Sequence, residues 1–381
     1  KHFPHGLQWI INKLTEQGLK IGFWIAPFWI PDKFTCHFEK HKDQILKNKG
    51  QYCREDKRFL FGESGKLPPE ERLGFYCLDG SNPKAQEYIR HVFETYYQMG
   101  VRYYMIDFLW TGCGNILGHF NYDEYFDRTL IKGPEVYRAF LKVIREAAGP
   151  DTYIISSSGP TFYNLDCVDA VRSAPDCGEG RPVIEGTGDY PATYTIMNWN
   201  LLRTVYTNYS MTYFTNKKLY YNDALNVLTI DKPVPLNEAR IEASLFALSG
   251  GPVMLGDEID EISEERLSII KKCLPQNREQ AKIADLFDSA YPDYPRIFNL
   301  KIKREWDEWN VVGVLNLDDG MVKRRIDLEK LEIEKDESIH LYDFWEEMYM
   351  GSYKGEIEIE VPACSIKLLR ISRERAHPWL L

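Results

Sequence analysis

The order of its segments constrains this chain more than any single motif. Over the first two thirds, helix-patterned stretches alternate with short apolar runs. The segment "HGLQWIINKLTEQGL" sets Leu7, Ile10, Ile11 and Leu14 on one helical face and stops at Gly18. The strand-like run "KIGFWIAP" follows. After a charged excursion over residues 32–78, "NPKAQEYIRHVFETYYQMG" reads as a helix with Pro83 in its first turn and Gly100 after its end. The alternation continues through a strand at 102–109, a helix at 134–147, the strands "TYIISSSGP" and "DAVRSAPD", and a helix-rich stretch near 195–210. "KLYYNDALNVL", a helix at 237–248 and the strand "GPVMLGDEI" complete it. Short apolar strands separated by helices predict a parallel sheet covered on its faces.

Several of these strands end in polar residues: Asp107, Ser156 to Ser158, Asp176, Asp223 and Asp257. Asp107 is the sharpest case. Five of the six residues before it are apolar or aromatic, and an unpaired carboxylate in such a setting is costly. In a β/α barrel the carboxyl ends of the strands form the active-site face, so polar residues gathering there read as function. From about residue 296 the texture becomes period-two, with turn signals such as Asp-Asp-Gly, and predicts a small antiparallel β domain. The expected division is a β/α unit over 1–295 and a β domain over 296–381.

Composition narrows the partners. A net charge of −10 argues against nucleic acid, whose phosphates need a basic footprint. No apolar run is long enough to span a bilayer. The eight cysteines form no CxxC pair and no zinc spacing, which fits separate reduced thiols and mildly favours the cytoplasm. The opening "KHFPHGL" reads like mid-protein sequence, so the compartment and a cleaved leader stay open, as does homo-oligomerisation. Aromatic residues make up 14%, enough for either a Tyr-rich core or platforms for a flat ligand such as a sugar ring.

Two acids on different strand ends, Asp107 and Asp176, have the placement that flanks a single glycosidic bond, though an isolated Asp is more often a loop cap. Arg172, four residues before Asp176, offers a rigid fork of donors for a carboxylate or a sugar hydroxyl, or a plain salt bridge. Trp24 and Trp110 lie at or near strand ends, where an indole stacks on a sugar face or simply packs. The histidines have no metal-ligand spacing, "GCGNILG" lacks the lysine of a phosphate loop, and no GxSxG elbow is present.

In this order the segments resemble the α-galactosidase (melibiase) group of glycoside hydrolases, families twenty-seven and thirty-six. "HFPHGLQWIINKLTEQGLKIGFWIAP" is similar to their helix and "GLKxGxW…P" strand, and "LDGSNPKAQEYIRHVFETYYQMGVRYYMIDF" to the stretch leading to their nucleophile. "VRSAPD" resembles the segment carrying their acid/base, "YYNDALNVL" echoes "NDPDxL", and "ALSGGPVMLGDEI" their closing strand. "LYDFWEEMYMG" and "VPACSIKLLRI" resemble their C-terminal β domain. The resemblance implies a (β/α)8 TIM-type barrel, here lacking its first two strands, followed by a small antiparallel β-sandwich. It implies retaining exo-hydrolysis of a terminal α-galactoside, without metal or cofactor, with Asp107 as nucleophile and Asp176 as acid/base. Arg172, Trp24, Trp110, Cys113 and Asp223 would line the sugar pocket.

Two departures bear on specificity. Met105 stands where the family usually has a sugar-contacting lysine, and the Pro and second Asp of "NDPDxL" are replaced, leaving Asn222, Asp223 and Ala224. They keep open the related α-N-acetylgalactosaminide and β-L-arabinopyranoside specificities, raffinose-type transglycosylation, and a silent carbohydrate-binding relative.

Overall fold

The computed structural model describes residues 3–32, 35–56, 74–112, 122–130, 134–157, 159–174, 194–223, 225, 227–232, 234–288 and 294–373. The chain divides into two compact units. One holds residues 1–172, 185–190 and 219–221; the other holds 173–184, 191–218 and 222–381.

The first unit is built on parallel strands Gly22–Ile25, Tyr103–Ile106, Tyr153–Ser156 and Ala170–Arg172, side by side in chain order. A fifth strand, Tyr221–Asp223, enters at Tyr221, whose amide donates to the Asp169 carbonyl (2.8 Å). Helices Leu7–Glu16, Pro83–Met99 and Glu135–Ala147 supply the cover, and alternation along the strands divides the sheet into two faces. Tyr104, Ile106 and Ile154 are fully buried, in one core with Ile11, Ile89, Phe93, Phe140 and Ile144 of the helices. The Pro83–Met99 helix starts and stops by local chemistry. The Asn82 side chain accepts the Lys84 amide (3.0 Å), and Gly100 ends the helix at φ 107°, a conformation that disfavours a Cβ.

The excursion after residue 32 contains more order than its composition suggests. Trp29–Pro31, Gly74–Cys77 and Arg54–Asp56 form a three-stranded antiparallel ribbon in that spatial order. Lys47–Asn48 and Gln51–Tyr52 form a small hairpin beside the Thr35–His41 helix in the sequence.

The second unit begins with helices Tyr194–Thr212, Leu236–Ser249 and Glu264–Cys273. A six-stranded antiparallel sheet follows, in the order Lys282–Ile283, Ile297–Lys303, Glu308–Asn316, Ser365–Arg373, Ser338–Asp343, Met348–Lys354. Its strand Glu308–Asn316 shows how the layers form. Trp309, Val311 and Leu315 join the core shared with the helices, while Val312 and Val314 join a second core with Ile326, Ile357 and Ile359 of the paired strands Val322–Asp327 and Glu356–Val361. Between the first set lies Gly313, where a Cβ would sit 2.7 Å from Leu248 Cδ1 of the helix. Glycine therefore permits the close approach of helix and sheet. The change of texture near residue 296 coincides with the first long strand of this sheet, Ile297–Lys303, which pairs with Glu308–Asn316 on one side and with the earlier Lys282–Ile283 on the other.

One expected element is reduced. "GPVMLGDEI" forms a single parallel bridge, Leu255 to Leu228, rather than a strand. Pro252 lacks a ladder donor, and the Asp257 carboxylate accepts the Ile230 (2.8 Å) and Asp231 (3.2 Å) amides, taking up backbone donors by side chain. Among the described residues no helix is long and apolar enough to cross a membrane.

Candidate active site

The candidate site grows from the pleat of the first unit's sheet. In-register pairing aligns Trp24, Met105, Ile155 and Ala170 across four strands, so these side chains share one face. Two residues further along the same alternation come Asp107 and Arg172, on that face at the carboxyl ends of their strands. Helix-packed Tyr104 and Ile106 point the other way. The apolar strand thus delivers its carboxylate away from the core, which resolves the cost that its sequence setting implied.

Asp107 is held at both oxygens. The Trp24 indole N–H donates to Oδ2 (3.0 Å), and the Phe108 amide donates to Oδ1 (2.6 Å). Its own amide donates to the Ile25 carbonyl (2.9 Å), extending the strand ladder by one residue. The chain then turns sharply at Phe108, which has φ 53°, a left-handed conformation that costs a non-glycine residue about 1 kcal/mol or more. Packing holds the turn. The Phe108 ring stacks on Trp29 (4.2 Å between centroids, 13°) and meets the edges of Trp24 (5.9 Å) and Trp110 (6.5 Å). Thr111 completes the brace: its hydroxyl donates to the Phe108 carbonyl (2.8 Å) and accepts the Trp29 indole N–H (3.0 Å).

Trp24 is half exposed, so its indole lies open beside the carboxylate it binds. Arg172 is buried, and its Nη2 donates to the Met105 thioether sulfur (3.7 Å). Sulfur is a weak acceptor, so this contact positions the guanidinium more than it binds it.

The structure therefore brings Trp24, Asp107, Arg172 and Trp110 into one neighbourhood. Asp176 and Cys113 lie outside the described residues. Asp223 belongs to the second unit, where it is buried and its carbonyl accepts the Ser173 amide (3.2 Å). Beside it, Asn222 is committed to structure. Its Oδ1 accepts the Ser173 hydroxyl (2.9 Å), its Nδ2 donates to Thr212 Oγ1 (3.0 Å), and its amide donates to Asn216 Oδ1 (2.9 Å).

Sequence reasoning missed the Trp29–Phe108 stack and the Met105–Arg172 contact. The cluster "PFWIPD" was the available signal for the first; only strand register reveals the second. It also missed a buried acidic group in the second unit. Glu242 is fully enclosed, with Asp257 and Glu238 near enough to act on its charge, and it accepts the Thr229 amide (3.1 Å). Burial, and after it the two neighbouring acids, push its carboxyl well above the usual range; burial alone pushes Glu238 up to about 6. The signal was two glutamates four residues apart in a helix otherwise apolar enough to be buried.

No protein-family model matches this sequence. Solved structures do match. A GH27 β-L-arabinopyranosidase from Geobacillus stearothermophilus is 16% identical, with 99% of this chain aligned to 80% of that one at a TM-score of 0.68. The chain shares the fold of these glycosidases. An α-galactosidase I from Mortierella vinacea (15% identity, 97% and 80% coverage, TM-score 0.60) is also similar. So is a putative α-N-acetylgalactosaminidase from Bacillus halodurans (16%, 97% and 78%, TM-score 0.61). The resemblance read from the segment order is borne out at the level of fold.

Proposed function

We propose that the protein is a retaining exo-glycosidase acting on terminal α-galactosides, with Asp107 as nucleophile and Asp176 as acid/base. The observation that carries the reading is the Asp107 carboxylate, fixed at a strand end by the Trp24 indole and the Phe108 amide on the face that also presents Arg172. Parallel strands adjacent in chain order suit a (β/α)8 barrel, and two antiparallel layers around one core suit the β-sandwich expected beyond it.

In this mechanism Asp107 attacks the anomeric carbon while Asp176 gives its proton to the glycosidic oxygen, whose bond to that carbon breaks. A glycosyl ester on Asp107 results. Asp176, now a carboxylate, takes a proton from water as the water oxygen attacks the anomeric carbon and the ester bond breaks. Two inversions give net retention, and one hard displacement becomes two easier ones. Two donors on Asp107 restrict its rotation and aim it before substrate arrives. The half-exposed Trp24 ring and Trp110 would form the wall against which the sugar stacks. The family resemblance would add Cys113 and Asp223 to the sugar contacts, for an oligosaccharide or glycoside substrate.

Met105 leaves a second reading open at the level of the sugar. A thioether offers no charged donor to a hydroxyl, and here it lies against Arg172. It keeps the α-N-acetylgalactosaminide, β-L-arabinopyranoside and transglycosylating alternatives beside α-galactosidase action. Turnover of p-nitrophenyl α-galactoside, α-N-acetylgalactosaminide, β-L-arabinopyranoside and α-glucoside separates them. One substrate should be hydrolysed, and Asp107→Asn should lose roughly a thousandfold or more in kcat, the scale of removing a covalent nucleophile. Full activity in that variant would overturn the assignment.

A further inference from the structure

The Thr35–His41 helix sets His37 and His41 four residues apart, on one of its faces. Their ring centres lie 4.7 Å apart at 62°. Tyr88 of the Pro83–Met99 helix packs on both, 5.7 Å from the His37 ring and 4.2 Å from the His41 ring. His41 is buried at 2% exposure. Its Nδ1 stands 3.1 Å from Gln44 Oε1, an atom that only accepts, so Nδ1 carries the proton and Nε2 a lone pair. That buried Nε2 has no hydrogen-bond partner. Such an atom is uncommon in a folded protein and calls for a ligand or a water. His37 is divided in the same way. Its Nε2 lies 3.1 Å from the Tyr88 hydroxyl oxygen, and when Nε2–H donates there, Nδ1 holds the lone pair. Each imidazole thus has one nitrogen engaged by an outer residue and one left over.

We propose that His37 and His41 bind one divalent transition-metal ion of the class imidazole prefers, Zn²⁺, Ni²⁺ or Cu²⁺, with Gln44 and Tyr88 as the outer partners that hold the two rings. Two imidazoles sharing an ion at about 2.1 Å per nitrogen keep their ring centres roughly 4.5–5.5 Å apart. The observed 4.7 Å lies within that span. A ligating histidine almost always donates its other ring N–H to a second residue, which fixes tautomer and orientation. Gln44 does this for His41, and Tyr88 for His37. Among the described residues no third histidine, cysteine or carboxylate completes the set, so water fills the remaining positions. The site is therefore weaker than a four-ligand zinc centre, and a pair of histidines alone carries little weight in a sequence. An ion selected by nitrogen donors rather than by charge suits the surroundings. The nearby Lys42 and Lys84 are paired with Glu39 (2.7 Å) and Asp43 (2.6 Å). A lone water fits worse, because it needs two or more polar partners, and His41 is packed by the rings of His37 and Tyr88.

The test titrates the full chain, stripped with EDTA, with ZnCl₂, NiCl₂ or CuCl₂ in a calorimeter. The expected result is one ion bound per chain for at least one of the three metals, lost in His37→Ala and in His41→Ala. Gln44→Leu should weaken binding about tenfold to a hundredfold, the scale of removing an outer partner from a ligating histidine. His37 is only half-buried, so His37→Ala reads the site even where His41→Ala fails to fold. Bound Cu²⁺ should show splitting from two nitrogens in its paramagnetic resonance spectrum. No binding of any of the three metals, binding undiminished in His37→Ala or Gln44→Leu, or bound copper without nitrogen splitting would overturn the proposal. The titration requires no turnover, so its outcome is independent of the glycosidase reading and of the role given to Asp107.

Discussion

At the scale of single residues, the proposed chemistry depends on how Asp107 is held. Trp24→Phe keeps a ring of similar shape but removes the donor to Oδ2. The expected result is a fall in kcat of about tenfold to a hundredfold, the cost of loosening a positioned catalytic group, with the thermal midpoint little changed. A drop confined to KM would mean that Trp24 only stacks on substrate. The carboxylate itself was legible in the sequence because a charge closing an apolar run calls for a reason. The turn behind it was not. Position 108 is Phe, with none of the Gly, Asn or Asp cues for a left-handed residue, and its φ of 53° is imposed by the stack on Trp29 from a distant segment. Asp257 shows the converse error. Its place after an apolar run suggested function, yet its carboxylate caps the Ile230 and Asp231 amides.

At the scale of elements, the Leu236–Ser249 helix carries a pH dependence. Glu242 and Glu238 have carboxyls raised by burial above their ordinary value of 4.5. The folded state then binds more protons than the unfolded state, so their contribution to stability is complete below about pH 4.5 and declines as pH rises. For Glu238 the decline ends near its raised value of about 6; for Glu242 the shift has the same direction. Glu242→Gln retains an acceptor for the Thr229 amide and removes the titration. It should raise the thermal midpoint by a few degrees at pH 8 and make little difference at pH 4. An equal effect at both pH values would show that the carboxyl does not carry the dependence. Helices of this chain were legible where ends were marked, as by Pro83 and Gly100. The ribbon between residues 29 and 77 was not, because strands of two to four residues are too short for a period to show.

At the scale of the whole molecule, the sequence marks the long antiparallel strands from Ile297 onward, because period-two patterning is local, and it misses the two-residue strand Lys282–Ile283 of the same sheet. The compact units divide elsewhere, because they follow contacts between distant segments. In the second unit Phe298 stacks on Tyr209 (5.6 Å, 9°), and the Trp345 indole donates to Ser244 Oγ (2.8 Å). A chain ending at residue 295 would therefore expose the faces of the Tyr194–Thr212 and Leu236–Ser249 helices. It should be insoluble or lack a cooperative transition, and a soluble product with a sharp melt would show that the β/α segment stands alone. The central claim, a covalent intermediate on Asp107, is tested most directly by trapping. The protein would be incubated with an activated fluorinated galactosyl substrate, digested, and its peptides weighed by mass spectrometry. The account predicts one added glycosyl group on the peptide containing Asp107, absent from Asp107→Asn. A label on a peptide lacking Asp107, or hydrolysis with inverted product stereochemistry, would contradict it.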